Sequence, residues 1–269
     1  MGIKTIRLEC GDDLPIRLFS IEDMAENSAI VLVARRGSGK SWVCRKILKR
    51  YKHIPVGIII SRTDKLNTFY GNFFADSFVH YEYKTELIHK LLARQDEMIA
   101  KMERKAKEGK RIDPRAFILM DDCLSDSKAW AKDKSLYEIL YDGRHYKLMY
   151  VLTMQSPLGI GPDLRKQFDY IFLFKEEFAV EQKKIWLNYA GVFPTFEAFR
   201  QIFLEVTKDF CCMVIVNNDR HKRDIKSTGT WLDKVFWYKA DNKDIGEIGC
   251  QQFNLYHERN FEKDWKRKE

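Results

Sequence analysis

The sequence predicts an α/β fold of three layers, in which helices cover both faces of a mainly parallel central sheet that carries extra strands at its edges. Three observations carry this. Short apolar runs without alternation recur along the chain, beginning with Ala29-Ile30-Val31-Leu32-Val33 and Val56-Gly57-Ile58-Ile59-Ile60, as expected of strands buried on both faces. Stretches of helical periodicity separate them, which is how parallel strands are connected. No repeat, low-complexity tract or linker divides the chain, so residues 1–239 are expected to form one domain, with a charged tail over 240–269.

In order, residues 3–9 alternate imperfectly and suggest an outlying strand before a Gly-Asp-Asp turn. The run 29–33 leads into Ala34-Arg35-Arg36-Gly37-Ser38-Gly39-Lys40-Ser41, followed by apolar positions Trp42, Val43, Ile47 and Leu48 at helical spacing. Strand, glycine-bearing turn and helix ending in Gly-Lys-Ser is the context of a phosphate-binding loop. The turn points backbone N–H groups at one spot, and the helix aims the positive end of its dipole there. Nucleotide binding is therefore assigned to Arg36, Gly37, Ser38, Gly39, Lys40, Ser41 and Trp42, with ATP as ligand. Lys40 is expected to reach the β- and γ-phosphates and the Ser41 hydroxyl to bind Mg²⁺. The first loop position is Ala34, where the pattern has Gly, and Gly37 restores the backbone freedom.

After the run 56–60, residues 61–83 are mixed and rich in aromatics and read as loop with short elements. Leu87, Ile88, Leu91, Leu92, Met98, Ile99 and Met102 then mark a helix over 85–107, closed by Gly109 and Pro114. Its basic end carries Lys101, Arg104, Lys105, Lys110 and Arg111. These are candidate DNA contacts, or a solvated helix end whose cations suit the dipole. Phe117-Ile118-Leu119-Met120-Asp121-Asp122 is a buried strand delivering two carboxylates at its carboxyl end, where ligands bind in open α/β sheets. Asp121 is expected to hold Mg²⁺, directly or through water, and Asp122 to polarise the attacking water as general base.

A helix over 135–142 ends at Gly143-Arg144-His145, and the run Leu148-Met149-Tyr150-Val151-Leu152 leads into Thr153-Met154-Gln155. In phosphate-loop folds that hydrolyse with an acidic base, this strand lies between the loop strand and the acidic strand. Gln155 is then placed to face the γ-phosphate. Arg144 is an arginine-finger candidate for a neighbouring subunit's nucleotide, or a residue that caps the helix before it; Arg35 and Arg36 are rivals for the finger role. The run 169–174 completes five parallel strands. Helices over 179–190 and 196–207 follow, then a strand over 211–216, the basic cluster Arg220, Lys222 and Arg223 (further candidate DNA contacts), and a last edge strand over 235–238.

The net charge of +8 and pI near 9.0 favour a polyanionic partner. Six cysteines without a Cys-x-x-Cys pair and no leader-like segment read as reduced, buried thiols in a soluble intracellular chain. No apolar run has the length of a membrane span.

At Gly37-Ser38-Gly39-Lys40-Ser41, Leu119-Met120-Asp121-Asp122-Cys123, Gly143-Arg144-His145, Thr153-Met154-Gln155 and Cys212-Met213-Val214-Ile215 with Asn217, the chain resembles the DNA-packaging ATPases of large nucleocytoplasmic DNA viruses. These belong to the FtsK–HerA group of RecA-like P-loop motors, of the additional-strand catalytic-glutamate type. Asp122 stands where Glu is commoner, and Asp followed by Cys is a feature of this branch. The similarity covers roughly residues 25–220. The resemblance implies a homo-oligomeric ring, pentamer or hexamer, that pumps double-stranded DNA into a preformed capsid, with capsid or portal-vertex proteins as partners. It also implies that Lys40, Asp121, Asp122, Arg144 and Gln155 keep the roles argued above. If the source is viral, the host cytoplasm at the assembly site is the expected location, with the virion as a further one. Two other readings share the loop: a different FtsK–HerA-like DNA translocase, and a monomeric P-loop phosphotransferase.

Overall fold

The computed structural model describes residues 2–7, 11, 13–123, 130, 132–218, 229–243 and 245–261. The strands are β1 (Ile3–Arg7), β2 (Asp13–Leu18), β3 (Ala29–Val33), β4 (Val56–Ser61), β5 (Val79–His80), β6 (Ala116–Asp121), β7 (Leu148–Met154), β8 (Tyr170–Phe174), β9 (Cys212–Val216) and β10 (Val235–Tyr238). The helices are α1 (Lys40–Arg50), α2 (Asp64–Asn67), α3 (Thr85–Lys107), α4 (Lys134–Asp142), α5 (Pro162–Arg165), α6 (Ala179–Tyr189), α7 (Phe196–Val206) and α8 (Gln251–Asn260). One compact unit comprises Met1–Lys46 with Thr153–Asn242, the other Ile47–Leu152 with Lys243–Glu269.

In the first unit the strand order is β1-β2-β10-β9-β8-β3. β3 runs parallel to β8, with Val31 opposite Ile171, whereas β8–β9 and β9–β10 are antiparallel. β3, β8 and β9 are buried along their whole length, which is why their runs show no alternation. Phe19 sits in an aromatic cluster, with ring centroids 5.8 Å from Tyr170, 5.6 Å from Phe172 and 5.8 Å from Phe236. The sequence marked β10 as an edge strand. It is interior, pairing antiparallel with β9 on one side and parallel with β2 on the other. The N-terminal hairpin of β1 and β2 covers what would otherwise be an open row of backbone N–H and C=O groups. Buried Lys46 pairs with Asp241, tying α1 to the segment after β10.

The second unit orders its strands β7-β6-β4-β5, every pair parallel. Gly57 lies opposite Phe117, and a Cβ there would come within 2.1 Å of the phenyl ring, so only glycine admits that ring. β7 belongs to both units: Leu148–Leu152 lie with the second, where Met120 is opposite Leu152, and Thr153 and Met154 with the first. α3 spans the residues its periodicity predicted, burying Ile88, Leu91 and Leu92. Within the polar C-terminal segment, α8 buries Phe253 against Phe74, stacked at 5.3 Å. No helix among the described residues is long and apolar enough to cross a membrane.

Candidate active site

The phosphate loop is carried by the first unit, between the end of β3 at Val33 and the start of α1 at Lys40. Ala34 N–H donates to Met154 O at 2.8 Å, fixing the start of the turn. Ser38 binds Arg35 O twice, through its N–H at 3.3 Å and its hydroxyl at 2.7 Å. Gly37 and Gly39 have φ of +76° and +92°, conformations that glycine alone adopts freely. Turns of this kind gather backbone N–H groups into an anion-binding concavity, and the start of an 11-residue helix adds its dipole.

Lys40 Nζ donates to Thr153 Oγ1 at 3.2 Å, and Thr153 is fully buried near the end of β7. From that block the sequence points to Gln155 rather than to Thr153. The one signal for it is a hydroxyl at the end of an otherwise apolar run. Gln155 is exposed just beyond the strand. Arg35 lies 3.6 Å from the buried Glu176 carboxylate and 5.2 Å from the Phe178 ring centroid. Glu176 also accepts the N–H groups of Glu177 and Phe178 at 2.8 and 3.0 Å. Arg35 is thus engaged within its own unit, while Arg36 is exposed. Trp42 is half-exposed with the Arg45 guanidinium 5.3 Å from its ring centroid. Beside the loop opens a cleft of ≈ 490 Å³, bounded by residues 35–38, by Lys175 and Glu177 after β8, and by residues 207–211 leading into β9.

The acidic pair is carried by the second unit. Asp121 ends β6 almost wholly buried and accepts the Tyr70 hydroxyl at 3.0 Å. Tyr70 N–H in turn donates to Asp64 Oδ1 at 2.6 Å, so Tyr70, in the turn after α2, links α2 to the end of β6. The aromatic-rich segment 61–83 carries no local signal that singles out Tyr70. Asp122 has φ of +56°, a left-handed conformation that Asp visits more readily than most residues. Cys123 Sγ donates to Ile60 O at 3.4 Å, and Trp130 Nε1 donates to Cys123 O at 2.7 Å. Cys123 is therefore held at the end of β6 through both its thiol and its carbonyl. Gly143 caps α4, and exposed Arg144 follows it in the turn before β7.

Of the candidate DNA contacts, Lys101, Arg104, Lys110 and Arg111 are exposed at the end of α3. Lys105 and Lys110 share Glu108, at 2.7 and 3.4 Å. Arg220, Lys222 and Arg223 lie outside the described residues. Lys40, Ser41 and Gln155 thus stand in the first unit, and Asp121, Asp122 and Arg144 in the second.

The family model described as Poxvirus A32 protein matches residues 18–177. The uncharacterized protein L437 of Acanthamoeba polyphaga mimivirus is 43% identical over 249 residues, spanning 93% of this chain and 85% of the relative. Protein 075L of Invertebrate iridescent virus 6 is 34% identical over 229 residues, spanning 84% and 83%. Among solved structures, the genome packaging NTPase B204 of Sulfolobus turreted icosahedral virus 2, in complex with sulfate, is similar with a TM-score of 0.53 at 19% identity. That match covers 82% of this chain and 100% of B204. The pCW3 conjugation coupling protein TcpA is similar with a TM-score of 0.51 at 11% identity, covering 90% and 66%. At these identities the likeness is one of fold, and the fold is the mainly parallel α/β architecture of P-loop NTPases.

Proposed function

The chain belongs to the Poxvirus A32 protein family, and on that footing we propose that it is an ATPase which, as a homo-oligomeric ring, drives double-stranded viral DNA into a preformed capsid. The observation that carries the nucleotide part is the turn at Gly37 and Gly39 that sets Lys40 on the buried Thr153 hydroxyl, at the start of α1. Viral relatives, and a fold shared with a protein named a genome packaging NTPase, favour DNA as cargo and the virus assembly site as location.

In this reading the loop N–H groups and Lys40 bind the β- and γ-phosphates. The Ser41 hydroxyl and the Asp121 carboxylate are each oxygen donors of the kind Mg²⁺ takes, and the ion when bound would neutralise charge on the phosphates. Tyr70 fixes the orientation of Asp121. Asp122 takes the proton of the attacking water, Gln155 senses the γ-phosphate, and Arg144 reaches the nucleotide of the next subunit. An arginine in trans makes hydrolysis change an interface, and head-to-tail interfaces that close give a ring. The exposed cations at the end of α3 then grip phosphates rather than bases, so DNA binding weakens steeply with salt.

The test is steady-state ATP hydrolysis with and without linear double-stranded DNA, at low and high salt. Stimulation by DNA that fades with salt is expected. Hydrolysis indifferent to DNA, even with purified procapsids present, overturns the translocation reading in favour of a P-loop phosphotransferase.

A further inference from the structure

We propose that Phe210 is the platform on which the base of the bound nucleotide stacks, an inference that rests on the nucleotide-site reading above. Asp209 and Phe210 have φ of +55° and +61° in succession. Left-handed backbone is costly for any residue with a Cβ and unusual for a bulky one. Strain of this kind persists where the surrounding structure enforces it, and it gathers at functional sites. Here the enforcement is visible on both sides. Thr207 ends α7 with its hydroxyl on Phe203 O at 2.7 Å, and Cys211 N–H closes the turn on Lys208 O at 3.0 Å before β9 begins.

The result of that strain is a phenyl ring 70% exposed. Among the described residues it makes no aromatic or cation–π contact, so the fold gains little from it. Its position is specific. Phe210 Cδ1 lies 3.9 Å from where a Cβ on Gly39 would stand, which puts the ring edge against the phosphate loop. Phe210 and loop residues 35–38 line the same ≈ 490 Å³ cleft, within the size range of small-molecule sites. Arg36 on its wall suits anionic oxygen, whereas Lys175 is paired with Glu177 at 2.8 Å and Lys208 with Glu205; a phenyl ring does not suit anionic oxygen. A ligand whose phosphates occupy the loop and whose remainder is a flat π-system uses both, and that is a nucleoside triphosphate. Stacking accepts any base through its π-face, so the ring should add affinity with little choice between purines.

The experiment compares calorimetric binding of ATP, GTP and inorganic tripolyphosphate to the full chain and to Phe210→Ala, Phe210→Trp and Lys40→Ala. Phe210→Ala should bind ATP and GTP each roughly tenfold more weakly and tripolyphosphate as the native chain does. Phe210→Trp should restore both nucleotides, with indole fluorescence changing on ATP but not on tripolyphosphate. Lys40→Ala should weaken all three. Phe210→Gly, which removes ring and strain together, should melt at a higher temperature while still binding ATP weakly. Unchanged ATP affinity in Phe210→Ala, or an equal loss for tripolyphosphate, overturns the base platform while the Lys40 result upholds the nucleotide site. Failure of the native chain to bind ATP or tripolyphosphate overturns both.

Discussion

The phenolic hydroxyl of Tyr70 donates to Asp121 Oδ2 across 3.0 Å, with both side chains shut away from solvent. Fifty-one residues separate the pair in the chain, so it is tertiary packing that brings a donor to the end of the acidic strand. Tyr70→Phe keeps the ring contacts with Phe69 and Phe73 and removes only the donor. A buried carboxylate that loses one partner costs about 1–3 kcal/mol. We expect a lower melting temperature and a Mg²⁺ titration of ATP hydrolysis displaced to higher concentration, with nucleotide affinity in the absence of metal unchanged. An unmoved Mg²⁺ titration would leave Tyr70 a purely structural residue.

Lys40→Ala should abolish hydrolysis, since no other loop side chain can bring a flexible ammonium to the phosphates. Thr153→Val tests the anchor. It preserves shape but leaves Lys40 without the hydroxyl at 3.2 Å. We expect hydrolysis to fall by about tenfold, the size of one hydrogen bond to a charged group, as measured by steady-state phosphate release. Native turnover in Thr153→Val would assign the hydroxyl to folding alone.

Asp122→Asn should bind ATP yet turn it over at a small fraction of the native rate, because an amide cannot accept the proton of water. Arg144→Ala should be equally inactive by itself. Mixed with inactive Lys40→Ala subunits it should regain part of the activity, since each then supplies what the other lacks across an interface. Mixtures that stay inactive at every ratio would leave Arg144 a cis or a structural residue.

Asp133 predicts a pH dependence of stability. Its carboxylate caps α4 through Ser135 N–H at 2.8 Å and accepts the hydroxyls of Tyr83 and Thr85 at 2.5 and 2.6 Å. Burial pushes its pKa up, but the hydrogen bonds from Thr85, Tyr83 and Ser135 outweigh this and hold it below the usual carboxylate range. A lowered folded value means the stabilisation is whole above the unfolded pKa near 3.9 and is lost as pH falls through the folded value. Asp133→Asn keeps a capping oxygen but cannot ionise. Denaturant titrations should find it about 1 kcal/mol less stable at neutral pH, with the gap closing in acid. A gap constant from pH 7 to 3 would contradict the assignment.

What the residues announce in advance is what local chemistry determines. The loop at 34–41 was legible because strand, turn and helix follow one another directly, and α3 because its apolar spacing persists over 23 residues. Asp121 was legible as the last residue of an unbroken apolar run. Tyr70 and Thr153 were not, because their roles lie in partners far along the chain. β2 was missed for a different reason. Asp13-Leu14-Pro15-Ile16-Arg17-Leu18 buries only Ile16 fully, and its proline reads as a breaker although it is tolerated beside an outer strand. Missing β2 is what made β10 look like an edge. The strain at Asp209 and Phe210 carries no sequence signature, since neither residue type demands positive φ.

The interior position of β10 bears on how the protein is born. Arg17 meets Asp233 across 216 residues of chain, and Phe236 is opposite Arg17 in the parallel pairing of β10 with β2. The first unit therefore cannot close while its last segment is still inside the ribosome, although its opening hairpin has long since emerged. Until then β2 exposes an unpaired backbone row, and the aromatic nest around Phe19 lacks Phe236. Long-range strand pairing of this kind folds slowly and invites association meanwhile. Truncation before residue 235 should thus yield aggregating chains rather than a smaller folded protein, and expression hosts rich in chaperones that shelter nascent strands should raise the soluble yield.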